Sequence, residues 1–165
     1  MSQDGGVIDL EVSVGYLLKQ ASAALRIAME DVLRPLGMTV TRYSCLELLA
    51  QRPGLSNSAL ARGAFVTRQS MNVLLQALQK EGLVTRPAQP SVGKVLPVQL
   101  TASGHAALRE ASEAVRAVEV RMLGGLSAGD QTRMLDALRS VVRSLGTPDE
   151  PPLADRNDEE TSSTS

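Results

Sequence analysis

Four side chains between residues 68 and 76 offer the most specific chemistry in this sequence: Arg68, Gln69, Asn72 and Gln76. Arg68, Asn72 and Gln76 are four apart, which sets them on one stripe of a helix. A guanidinium presents paired donors that match guanine N7 and O6. A carboxamide presents the donor and acceptor that match adenine N7 and N6. No Asp or Glu interrupts the chain from Arg52 to Lys80, and a carboxylate there would repel phosphate. In isolation, the same residues also describe an ordinary solvated helix face. The elements around them decide between the two readings.

Thr67 is a suitable cap for a helix over 67–81, with Met71, Leu74, Leu75 and Leu78 turned inward and Gly82 closing it. Ahead of it, Ser56 caps a short helix through Leu60 and Ala61, and Gly63 supplies a turn. Beyond it the period changes. Leu83, Val84 and Thr85 suit one strand and Val95, Leu96, Val98 and Leu100 another, with the turn formers of 87–93 between them. Pro97 cannot donate to a ladder, so its strand lies at an edge. Short helix, turn, helix and hairpin make a winged helix-turn-helix over about 39–101, whose second helix enters the major groove. The candidate DNA contacts are therefore Arg52, Ser56, Arg62, Thr67, Arg68, Gln69, Ser70, Asn72 and Gln76, with Arg86 and Lys94 on the wing. Arg52 and Arg62 suit phosphate, and a basic side chain on a wing suits phosphate or the minor groove. Arg52 and Arg62 could equally be solvated surface charges; for Arg86 and Lys94 an ordinary hairpin charge is the alternative, and the reading helix ahead of the hairpin favours the wing.

Long helical patterns flank this unit. Ile8 to Leu33 carries Leu17, Ala21, Ala24, Leu25, Ala28 and Val32 at helical spacing, and Pro35 and Gly37 end it. Thr39 caps a helix over 41–51, whose buried stripe is Cys45 or Leu46, then Leu49 and Ala50. After the hairpin, 103–123 carries Leu108, Ala111, Val115, Val118 and Met122. A Ser-x-x-Asp cap, Ser127 to Asp130, then opens a helix bearing Met134, Leu135, Leu138, Val141, Val142 and Leu145. Residues 1–7 read as a flexible N-terminus. The Pro-, Asp-, Glu-, Ser- and Thr-rich segment 146–165 reads as a disordered acidic tail. The fold class is mainly α: six helices, with the hairpin wing between the fourth and fifth.

Composition narrows the partners. The chain has 165 residues, enough for one core plus an extension. Aromatic residues make up 2% with no Trp, which disfavours stacking on single strands. The net charge of −1 conceals an asymmetry. From Arg52 to Arg109 seven basic residues face one acid, Glu81, whereas six acids and one Arg lie beyond Gly146. The middle segment is what a phosphate backbone would meet. A single cysteine, Cys45, excludes an intrachain disulfide and a cysteine metal cluster. Its apolar neighbours favour a buried structural thiol over a redox sensor. The lone His105 supports neither a metal nor a catalytic pair. No glycine-rich phosphate loop, paired-carboxylate motif, nucleophile elbow or zinc spacing occurs, so the expectation is a non-enzyme without cofactor or metal. Without a signal peptide or a membrane-length apolar run, the expected compartment is the cytoplasm, with no membrane partner.

The run Leu60-Ala61 … Thr67, Leu78 … Glu81-Gly82-Leu83-Val84 … Leu100-Thr101-x-x-Gly104, with Pro35-Leu36-Gly37-Met38-Thr39 ahead of it, resembles the MarR family of bacterial transcription regulators. The resemblance covers about residues 10–145, within a MarR-like domain of 8–145. It implies a triangular homodimer in which helices 8–34 and 103–145 interlock as the dimerisation region. It further implies two winged lobes on a pseudo-palindromic double-stranded DNA operator, repression, and release by a small aromatic or phenolic ligand. The ligand crevice that the resemblance implies falls at Tyr16, Met38 and Tyr43, with core packing the simpler role for Met38. Two departures stand out. The family's wing usually carries Asp-x-Arg, and here the segment is Val92-Gly93-Lys94. Val73 and Ala77 stand where relatives often have Arg, which leaves base contact to Arg68, Gln69 and Asn72. The altered wing and acidic tail keep one alternative open: a winged-helix protein-interaction module that has lost DNA reading.

Overall fold

Among the described residues six helices each begin behind a Ser or Thr, and the hydroxyls explain where the elements start. The computed structural model describes residues 7–86 and 98–146. The helices are α1 (Val14–Leu33), α2 (Val40–Gln51), α3 (Asn57–Gly63), α4 (Arg68–Lys80), α5 (Ala102–Leu123) and α6 (Ala128–Leu145). Strands β1 (Val84–Thr85) and β2 (Gln99–Leu100) lie between α4 and α5, and Arg34–Leu36 forms a 3-10 turn after α1. Ser13, Thr39, Ser56, Thr67 and Ser127 are extended cap residues whose hydroxyls accept from Tyr16, Arg42, Ala59, Ser70 and Asp130 N–H. Each satisfies a helix-end donor that would otherwise have no partner.

The Ser13 cap corrects one expected boundary. Helix α1 starts at Val14 rather than Ile8, because Ser13 takes an extended backbone and its oxygen binds Tyr16 N at 3.3 Å. Residues 8–12 precede the cap as exposed chain.

One core joins the end of α1 to α2, α3, α4, β1 and α5. Leu33, Leu46, Leu60, Met71, Leu78 and Cys45 are its largest fully buried side chains. Val84, Val98, Leu108, Ala111 and Val115 close it from the hairpin and α5. Strand β1 pairs antiparallel with β2, with Val84 opposite Leu100. Ala50, expected in the buried stripe of α2, is exposed, as is Met122 at the end of α5.

Two glycines have non-local reasons. Gly63 is the last residue of α3 rather than a turn; a Cβ there would meet Leu48 Cδ1 at 2.9 Å. The turn instead falls at Phe65, which takes φ +57°. Gly104 lies against the chain entering β1, and an added Cβ would stand 2.0 Å from the Leu83 carbonyl oxygen. Thr101 completes this joint, since its hydroxyl donates to Gly82 O at 2.6 Å and accepts from Gly104 N at 3.0 Å. The Leu-Thr-x-x-Gly run is thus the clasp between the base of the hairpin and α5.

The chain divides into two units, with the second beginning at Leu123. Within it, Ser127 caps α6, Gln131 Nε2 donates to Leu123 O and Leu126 O, and no α6 side chain is buried. Among the described residues no helix is long and apolar enough to cross a membrane. Residues 1–6 of the expected flexible N-terminus 1–7, residues 87–97, and residues 147–165 of the expected acidic tail 146–165 lie outside the described residues.

Candidate nucleic-acid interface

Helix α4 is two-sided because its inward residues recur at helical spacing. Met71, Leu75 and Leu78 are buried, and Leu74 packs at their margin. Arg68, Gln69, Ser70, Asn72, Val73 and Gln76 are exposed. At 100° per residue, Gln69, Val73 and Gln76 stand opposite the buried stripe, with Arg68 and Asn72 on one flank. No acid lies in the first turn of α4, where the helix end carries partial positive charge suited to an anion.

Three contacts hold this helix. Thr67 Oγ1 caps it by accepting from Ser70 N at 3.1 Å and also donates to Ser70 Oγ at 2.8 Å. Asn57, the first residue of α3, donates its Nδ2 to Asn72 Oδ1 at 2.7 Å. Asn72 is thereby steadied against α3, and its own two amide protons remain available to a ligand. At the far end, Arg42 from the first turn of α2 forks onto both carboxylate oxygens of Glu81, the C-cap of α4. The Arg42 hydrogen bond holds the Glu81 carboxyl below its ordinary range. The one acid between Arg52 and Arg109 is therefore paired, away from the N-terminal turn of α4.

The remaining expected contacts spread along the exposed surface. Ser56 caps α3, Arg62 lies in the last turn of α3, Arg52 follows α2, and Arg86 follows β1; all are exposed. Lys94 lies outside the described residues. Asn57, the Arg42–Glu81 pair, Phe65 and Val73 were not among the expected site residues. The first two act through partners 15 and 39 residues away, a separation that spacing rules on one helix do not reach. Phe65 is 89% exposed.

The three residues of the expected crevice separate. Met38 is buried in the core and Tyr43 packs at its edge. Tyr16 is 39% exposed in the first turn of α1, about 25 Å along that helix from Leu33, where α1 enters the core. Tyr43 belongs to a polar cluster with Glu47 and Ser112, in which Ser112 Oγ donates to Glu47 Oε2 at 3.0 Å. Burial raises the Tyr43 phenol, and the Glu47 and Glu119 carboxylates push the same way against the lowering bond from Ser112. Cys45 is fully buried with its Sγ 3.7 Å from Met71 Sδ, and burial pushes the thiol up to about 11. It packs as a small apolar side chain between α2 and α4. His105 is exposed in the first turn of α5.

Comparison with known proteins gives consistent relatives. A model of the MarR family matches residues 36–94. The HTH-type transcriptional repressor Rv2887 of Mycobacterium tuberculosis (strain ATCC 25618 / H37Rv) is 44% identical over 133 residues, covering 79% of this chain and 96% of that protein. The solved structure of the M. tuberculosis MarR family protein Rv2887 in complex with salicylic acid shares 42% identity and a TM-score of 0.68, over 79% of this chain and 96% of that one. The structure of the same relative in complex with DNA gives 40% identity and a TM-score of 0.66, over 79% and 98%.

Proposed function

The chain belongs to the MarR family, and on that premise we propose that it is a repressor binding a pseudo-palindromic operator in double-stranded DNA as a homodimer. The observation that carries this reading is the outer face of α4. Gln69 and Gln76 are exposed there, with Arg68 and Asn72 exposed on its flank, while Met71, Leu75 and Leu78 anchor the opposite face. Arg68 pairs with guanine, and Gln69 and Asn72 pair with adenine. Thr67, Ser70 and Ser56 stand at helix starts, where hydroxyls and N–H groups meet phosphate. Arg52, Arg62, Arg86 and Lys94 supply the sequence-independent attraction. A relative solved in complex with DNA supports the reading of a DNA-binding protein, without bearing on these individual residues.

Dimerisation falls to the terminal helices α1, α5 and α6. Val14, Leu17 and Ile27 of α1 are exposed, and so are Met134, Leu135 and Val142 of α6. A second copy covers these apolar side chains and sets two α4 helices one turn of DNA apart, about 34–36 Å. The chain acts without catalysis, in the cytoplasm.

A small aromatic ligand releases the DNA, as the salicylic acid complex of the relative suggests. Tyr43 of α2, which hydrogen-bonds with Ser112 of α5 and packs against the core that holds Met38, is the part of the expected crevice that suits such a ligand.

Selection of bound fragments from random duplex DNA with the full chain tests the central claim. The expected product is a two-fold sequence with half-sites one helical turn apart. Replacing Arg68 by Ala then costs roughly 1–3 kcal/mol of specific binding and relaxes one position per half-site. Lys94→Ala weakens all sequences alike and flattens the salt dependence. Absence of duplex affinity even at low salt would instead favour a protein-interaction module.

A further inference from the structure

The centre of the α4 outer face is not polar. Val73 is 62% exposed, stands opposite the buried Met71, Leu75 and Leu78, and follows Gln69 by one turn and precedes Gln76 by three residues. Its burial cannot serve the fold, because its two methyl groups project away from the core. Two carboxamides, Gln69 and Gln76, share its face, and a third, Asn72, is exposed on the adjoining flank. An A·T pair presents this combination in the major groove: adenine N7 and N6 for an amide, and the C5-methyl of thymine for an apolar contact.

We propose that Val73 is a specificity-determining residue that reads a thymine through its C5-methyl group, beside an adenine read by a neighbouring carboxamide. The inference rests on α4 being the reading helix. Docking α4 with its N-terminal turns toward the bases removes Val73 from water together with the methyl it meets. The gain is that of burying about one methyl group, roughly three- to five-fold in affinity per half-site. Each half-site therefore contains at least one A·T pair at an unvarying position, and the requirement is for the methyl group rather than for thymine's hydrogen-bonding edge.

Deoxyuridine separates those two features, since it keeps the pairing edge and lacks the methyl. Thymines in the selected operator are replaced one at a time by deoxyuridine, and affinity is measured by fluorescence anisotropy for the full-length protein and for Val73→Ala. At one thymine per half-site, deoxyuridine is expected to weaken the parent protein about three- to five-fold and V73A hardly at all. Uniform sensitivity of both proteins at every position overturns the assignment of Val73. If Arg68→Ala still relaxes specificity in that case, α4 remains the reader and only Val73 is misassigned. Failure of the parent protein to select any sequence overturns the reading helix and this inference together. Because Val73 is exposed, V73A leaves the core untouched, and an unchanged circular dichroism spectrum checks that.

Discussion

Gly104→Ala is the most direct test of how the hairpin is set relative to α4. On an exposed helix the change would stabilise, since Ala exceeds Gly by about 1 kcal/mol in helix propensity. Here the new Cβ would lie 2.0 Å from Leu83 O and 3.1 Å from Leu83 C. Both are backbone atoms, so no rotamer change relieves the contact. Helix α5 must withdraw by about an ångström, and overpacking of that kind costs about 1–3 kcal/mol. The withdrawal also stretches Thr101 Oγ1 to Gly82 O, now 2.6 Å, and Thr101 N to Leu83 O, now 3.1 Å. Each lost bond adds about 1 kcal/mol. Net of the propensity gain, a loss of roughly 2–4 kcal/mol is expected. Urea unfolding followed by circular dichroism, at one fixed protein concentration, measures it. Because Gly82 and Leu83 connect α4 to β1, operator affinity should fall in the same variant. A protein stabilised by about 1 kcal/mol, with unchanged binding, would refute the close approach and the joint built on it.

Phe65 holds φ +57° with its ring 89% exposed, so Phe65→Gly removes left-handed strain at little packing cost. It should raise stability by up to about 1 kcal/mol in the same denaturation assay. The Cys45 thiol, buried and raised to about 11, should resist alkylation at pH 8 in the folded protein and react on unfolding; fast labelling of native protein would contradict its burial. The unfolded thiol ionises at lower pH than the folded one, so the folded state holds the extra proton. Stability from this group is therefore intact below the ordinary thiol range and declines as pH rises through it toward about 11. For Glu81 the sign is opposite, because Arg42 lowers its folded pKa. Its contribution is present above the ordinary carboxylate range and fades as pH falls through the lowered value. Glu81→Gln should cost less than about 1 kcal/mol and remove that acidic-side decline.

The features legible in the sequence are those decided within one turn of chain. Thr39, Ser56, Thr67 and Ser127 each cap the helix they precede, since a hydroxyl reaches an N–H three residues on whatever the rest of the fold does. Inward stripes such as Met71, Leu75 and Leu78 follow from period alone. Where reasoning by period went astray, a distant partner or a competing cap decided the outcome. The apolar residues before Ser13 extend a helical pattern, yet Ser13 ends it by capping. Gly63 reads locally as a turn, whereas Leu48 of α2 demands its missing Cβ. Asn72 reads as a free base-contacting amide, and Asn57 shows that one of its oxygen's sites is engaged from α3.

The apolar stripes of the outer helices show the same limit from the other side. Leu17 of α1 and Leu135 of α6 recur at core-like spacing, yet they are 48% and 49% exposed in one chain. Exposed apolar stripes of this kind suit a surface supplied by a partner. If a second copy supplies it, folding and dimerisation share one free energy, and the unfolding midpoint must rise with protein concentration. A midpoint unchanged across a hundred-fold range of concentration would mean that the terminal helices are not the dimer contact. Two reading helices would then have no shared frame to span one turn of DNA.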